Sequence, residues 1–61
     1  MKYLIFVDID GEHIFVGQSR TLHDAYQIIW DECNNLRKNY ACDFLHWLVF
    51  RNVEKILDFY Q

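Results

Sequence analysis

Leu4-Ile5-Phe6-Val7-Asp8-Ile9-Asp10-Gly11-Glu12-His13-Ile14-Phe15-Val16 is the stretch from which the fold can be read. Runs of β-forming residues flank Asp10-Gly11. A two-residue type I′ turn needs positive φ at both central positions, which Asp and Gly adopt readily, so the stretch predicts a β-hairpin. With Asp10-Gly11 as the loop, Ile9 faces Glu12, Asp8 faces His13, Val7 faces Ile14, Phe6 faces Phe15 and Ile5 faces Val16. Side chains alternate along a strand, so this register sorts them into two faces. Tyr3, Ile5, Val7, Ile9, Ile14 and Val16 form one. Leu4, Phe6 and Phe15 form the other, with Asp8 and His13 beside the turn. A single helix covers one face only. The second apolar patch needs another cover.

Gly17 to Arg20 reads as a short connection, and Thr21-Leu22-His23-Asp24 resembles a capping box that opens a helix. From there Leu22, Tyr26, Ile29, Cys33, Leu36 and Tyr40 recur at alternating steps of four and three. That spacing predicts an amphipathic helix of roughly 18 residues. Asp24, Gln27, Asp31, Asn34, Asn35 and Lys38 line its polar side, Trp30 sits at the edge of the stripe, and Ile28 points away from it. Further on, Phe44 to Phe50 reads as a buried strand, Arg51 to Lys55 as a turn, and Ile56 to Tyr60 as a second strand. Leu45, Val49, Val53, Ile56 and Tyr60 also fit a helix that Asp43 could cap. Aromatic and β-branched enrichment favours strands. The expected fold is a small single α+β domain over residues 1–61, ordered ββαββ, with ββαα as the alternative.

At 61 residues, a chain buries only about 60% of the surface it exposes when unfolded, so its stability needs help from disulfides, metal or a partner chain. Two cysteines, Cys33 and Cys42, are too few to staple a mini-domain and stay thiols in a reducing compartment. His13, His23, His46 and the cysteines lack the close spacing of zinc ligands, so no metal or other cofactor is expected. Burial against a second chain remains, and a homodimer is expected.

Six Lys and Arg stand against nine Asp and Glu, a net charge of −3. No basic cluster exists to neutralise phosphates, and direct nucleic-acid binding is not expected. The acidic excess is also too weak for a nucleic-acid mimic. No run of 18 apolar residues is present, and Asp8 and Asp10 interrupt the apolar start, so neither a membrane span nor a signal peptide is expected. The expected location is the cytoplasm.

Leu4-Ile5-Phe6-Val7-Asp8-Ile9-Asp10-Gly11 resembles the first motif of haloacid-dehalogenase-type phosphatases. That resemblance would make Asp8 the nucleophile and Asp10 the general acid/base, beside a magnesium ion. It covers eight residues and ends at Glu12, where the family usually has Thr. The family also needs a parallel sheet on a chain of well over 100 residues, which this length does not supply. Asp8 and His13 read as a cross-strand ion pair near a turn. Cys33 reads as a core residue, Cys42 as part of a connection, and His46 as an interface residue among aromatics. No catalytic residue is assigned, and the chain is not expected to be an enzyme.

Eleven aromatic residues are the surplus that needs explaining. Leu4, Phe6, Phe15, Trp30, Trp47, Phe50, Phe59 and Tyr60 are the expected dimer or partner contacts, because Trp and Tyr dominate binding hot spots. Residues 1–36 hold two bases and six acids, while residues 37–61 hold four bases and three acids. The expected function is a homodimeric, phage- or plasmid-type inhibitor that blocks a host defence enzyme, such as a nuclease or helicase, by contact. The alternative is a nucleotide-sequestering protein with a cleft at the dimer interface, lined by Trp30, Tyr40 and Trp47 with Arg20, Arg37 or Arg51.

Overall fold

The computed structural model describes residues 2–61. The elements run β1 (Tyr3–Ile9), β2 (Glu12–Ser19), α1 (Leu22–Tyr40), β3 (His46–Arg51) and β4 (Glu54–Tyr60). This is the ββαββ order, and the helical alternative for the C-terminal part does not occur. The strands form one antiparallel sheet in the order β2-β1-β3-β4. β1 and β3 carry the longest apolar runs and take the two central places.

The first turn forms as its residues require: Asp10 has φ 54° and Gly11 φ 82°. Pairing follows the expected register from Ile9↔Glu12 back to Phe6↔Phe15. There it departs, because Ile5 pairs with Gly17 and not with Val16. The extra residue, Val16, packs against the core, so a bulge gives β2 two successive core-side positions. A matching irregularity lies between β3 and β4, where Val49 pairs with Leu57 but Phe50 pairs with Lys55. Ile56 is the extra residue and also packs against the core. Both outer strands are therefore bulged, a feature that twists an edge and discourages strand addition.

The second hairpin is tighter than Arg51 to Lys55 suggests. β3 ends at Arg51 and β4 begins at Glu54, so only Asn52 and Val53 turn. Asn52 takes φ 59°, a conformation Asn tolerates better than most side chains. At the other end β3 begins at His46, not Phe44. Leu45 and Gln61 still exchange both backbone hydrogen bonds, at 3.1 and 3.0 Å.

The helix begins at Thr21, whose hydroxyl oxygen accepts from the Asp24 N–H at 3.1 Å. Asp24 in the first turn and Arg37 and Lys38 in the last complement the helix dipole. Its buried residues are Ala25, Ile29 and Cys33, so the inward stripe is rotated from the expected one. Tyr26 and Tyr40 are about half exposed. Ile28 faces inward after all and packs against the core, next to Gly17 of β2, where an added Cβ would lie in ordinary contact at 3.5 Å from Ile28 Cγ2. Ile5, Val7, Trp47 and Val49 from the sheet complete the core with Leu45. Trp47 is fully enclosed, and its Nε1–H donates to the Gln61 carbonyl at 3.4 Å. No helix among the described residues is long and apolar enough to cross a membrane.

The helix ends at Ala41, which is left-handed at φ 51°, ψ 45°, while the Cys42 N–H donates to the Arg37 carbonyl at 3.1 Å. A side chain in that conformation costs roughly 1 kcal/mol that glycine does not incur. Ala41→Gly is therefore expected to stabilise the fold by about 0.5–1 kcal/mol, read as a higher urea midpoint at unchanged m-value.

Candidate functional site

The face of the sheet turned away from α1 has no cover among the described residues. Its side chains form three rows across the four strands, in the order β2, β1, β3, β4. The first row is Gln18, Leu4, Phe50 and Lys55; the second is Phe15, Phe6, Leu48 and Asp58; the third is His13, Asp8, His46 and Tyr60. The first two rows are mainly apolar, and the third is ionisable throughout.

Phe6 sits at the centre of the apolar part. Its ring meets Phe15 edge-on at 5.5 Å and Phe50 edge-on at 5.6 Å, the geometry that aromatic quadrupoles favour. Leu48 is shielded by its neighbours to 2% exposure, whereas Phe15 keeps 55%. Leu4, Phe6, His13, Phe50, Asn52 and Val53 line a shallow depression of about 260 Å³.

The polar row is organised by His46. Its Nδ1 lies 3.4 Å from Asp8 Oδ2, and its Nε2 contacts Asp58 Oδ1. Tyr60 stacks on the imidazole at 4.5 Å and 14°. Lys55 Nζ reaches the other Asp58 oxygen at 2.8 Å. Three strands thus bring two carboxylates, one imidazole and one ammonium together. Hydrogen bonds from Lys55 first and His46 second hold the Asp58 carboxyl below its ordinary value. Asp8 Oδ1 is covered and meets no donor among the described residues.

This cluster is built for cohesion more than for proton transfer. A general base needs a free nitrogen within reach of the substrate, and both nitrogens of His46 face carboxylates. Asp8 and His13 are cross-strand neighbours as expected, but the imidazole that approaches Asp8 is His46. That pairing depends on β1 lying beside β3, which local sequence signals do not reveal. Asp10, the second carboxylate of the phosphatase-like motif, occupies the exposed turn, and the strand before it is antiparallel to both neighbours. The parallel sheet of that family is not built. Among the described residues, no group of three or more His, Cys, Asp or Glu is arranged to hold a metal ion.

The eight expected contact residues separate into three places. Leu4, Phe6, Phe15, Phe50 and Tyr60 lie on the open face. Trp30 and Phe59 lie on the helix side: Trp30 is 64% exposed, and Phe59 approaches Tyr26 at 6.4 Å. Trp47 is a correction. It points from β3 into the space under α1, where full enclosure leaves nothing for a partner chain to touch. Cys33 is buried, with its thiol donating to the Trp30 carbonyl at 3.3 Å. Cys42 borders a depression with Asp8, Asp10, Tyr40 and Phe44. Arg37 is committed to the Asp43 carbonyl and to Asn34 Oδ1, at 3.2 and 2.8 Å.

No family model, curated protein or solved structure matches this chain.

Because Asp58 is held in its charged form, it contributes stability above the ordinary carboxylate value of 3.8. That contribution is lost as pH falls through the lowered value. Asp58→Asn is expected to lower the urea midpoint slightly at pH 7 and to flatten its decline below about pH 4. Parallel acid limbs for the two proteins would show that the cluster carries no pH-dependent stability.

Proposed function

We propose that the chain is a small non-catalytic protein-binding module that acts by occupying another protein. The observation that carries this reading is Trp30, left 64% exposed on a structured helix. It stands one turn from Tyr26, on the same helix side, and Tyr26 leans towards Phe59 on β4. Single exposed hydrophobes are ordinary. Trp and Tyr adjoining a third aromatic are the residue types that serve as anchors in protein interfaces. The engagement of His46 by two carboxylates supports a binding role over a catalytic one.

The partner class we favour is a host enzyme, a nuclease or helicase of a defence system, blocked by contact in the manner of a phage- or plasmid-encoded inhibitor. Support comes from the acidic balance and the absence of proline. Nucleotide sequestration has less behind it. Trp47 offers no face for a base to stack on, and Arg37 is occupied.

Titrating the protein at micromolar concentration against a panel of nucleases and helicases, with size-exclusion chromatography as readout, tests this reading. A complex is expected with at least one of them. Trp30→Ala is expected to weaken that complex by roughly 30-fold, the effect of a typical hot spot, with the thermal melt unchanged. An unaltered affinity would remove Trp30 from the interface, and no complex across the panel would count against enzyme blocking.

A further inference from the structure

We infer that the open sheet face is covered by a second copy of this chain, packed face to face with its strands aligned, so that β1 lies over the partner's β3. The inference concerns the opposite side of the molecule from Trp30 and does not depend on the helix-side reading.

The first argument is where apolar surface remains. Leu4, Phe6, Phe15 and Phe50 form a continuous group on the sheet, Phe15 more than half exposed and the other three half-buried by their neighbours, and no other described element covers them. The outer strands β2 and β4 are both bulged, and β4 carries Glu54, Lys55 and Asp58. Extension of the sheet by edge pairing is disfavoured, and face packing remains.

The second argument is area. At about 3.3 Å per residue and 4.8 Å between strands, seven-residue strands in a four-stranded sheet present roughly 23 Å by 19 Å. That is about 440 Å² on each copy. A specific interface needs roughly 1,000 Å² in total. Only overlap of nearly the whole face approaches this, which excludes a glancing contact and favours a symmetric one.

The third argument is charge. A two-fold axis in the interface plane has two simple orientations. With the axis across the strands, each ionisable third row falls on an apolar first row, and Asp8 and His46 lie over the partner's Leu4 and the partner's Phe50. Burying charge against apolar side chains is costly. With the axis along the strands, each row meets itself in reverse. Asp8 then lies over the partner's His46, Phe6 over the partner's Leu48, and Leu4 over the partner's Phe50. Across the two central strands apolar side chains meet apolar ones and the carboxylate meets the imidazole at the rim. The one charge set over an apolar residue in the second row is Asp58, opposite the partner's Phe15 on the outer strand, where Lys55 still pairs with it. Aligned sheets cross at about 30°, which keeps the central strands in contact.

Native mass spectrometry and sedimentation velocity on the intact chain at tens of micromolar decide the matter. A dimer is expected for the natural sequence, and Phe6→Glu is expected to raise the dimer dissociation constant by at least about 100-fold, since a charge would have to be buried. Should Phe6→Glu fail to fold, coupling with a short bis-maleimide decides, since sheets packed about 10 Å apart hold facing thiols too far apart for a direct disulfide. In a Cys42→Ser background, Gln18→Cys protein mixed with Lys55→Cys protein is expected to form a crosslinked pair, because aligned packing sets those outer positions opposite each other. Efficient coupling of Gln18→Cys to His13→Cys instead would overturn the aligned arrangement. A monomeric natural protein would overturn the inference altogether, even where Trp30-dependent binding to another protein persists. A dimer with neither coupling would place the contact elsewhere and overturn it as well.

Discussion

One helix cannot cover two faces of a sheet, and most of the structure follows from that. The 19-residue α1 buries Ile5, Val7, Trp47 and Val49 on one side. On the other side no described residue is placed as a cover. Yet that side is not written in the polar residues that usually face water across an antiparallel sheet. It carries three phenylalanines and two leucines in adjacent rows. Part of the apolar excess of the composition is gathered on that open face, and the rest of what stays exposed, Tyr26, Trp30, Tyr40 and Phe44, lies on and just after α1.

The edges answer a related problem. Each outer strand spends one residue on a bulge, Val16 in β2 and Ile56 in β4, and each of these turns to the core. The bulges enlarge the apolar contact with α1 and spoil the regular ladder that another strand would need. At the end of the face nearest the first turn, His46 joins Asp8 and Asp58 across three strands. Exposed ion pairs of this kind add little stability one by one. Their consequence here is positional: they fix His46 and Tyr60 beside the apolar rows and bound that patch on one side.

Local signals were enough for much of this. Asp10-Gly11 set the first hairpin because the required φ values belong to few residue types, and Thr21 marked the helix start through its hydroxyl. The two-face sorting of β1 survived intact, since a strand that keeps its register keeps its alternation. The failures came from non-local causes. The bulge at Val16 turns two successive residues of β2 to the core side, a departure from strict alternation that period alone does not encode. The helical stripe shifted because Ala25, a small residue that the four-and-three spacing passes over, is fully buried, while Tyr26 beside it stays about half exposed. Trp47 was assigned to a surface because aromatic surplus says how much must be covered and not which residue is covered by what. The His46 cluster was invisible because it needs β3 to lie beside β1, a pairing of segments separated by the whole helix.

These points bear on how a chain with so little surface could hold more than one contact. The open face and the Trp30 flank lie on opposite sides of the sheet, separated by the core that α1 encloses. A cover over Phe6 leaves Trp30 untouched, and a ligand at Trp30 need not displace anything from Phe6. Two independent contacts are possible only because the core between them is complete without either. Trp47, Val49, Ile5 and Val7 are fully enclosed within the single chain, so neither apolar surface is a fragment of an unfinished interior. The aromatics outside that core pack on one another, Phe6 between Phe15 and Phe50 and Tyr60 on His46, so each surface is ordered before any partner meets it.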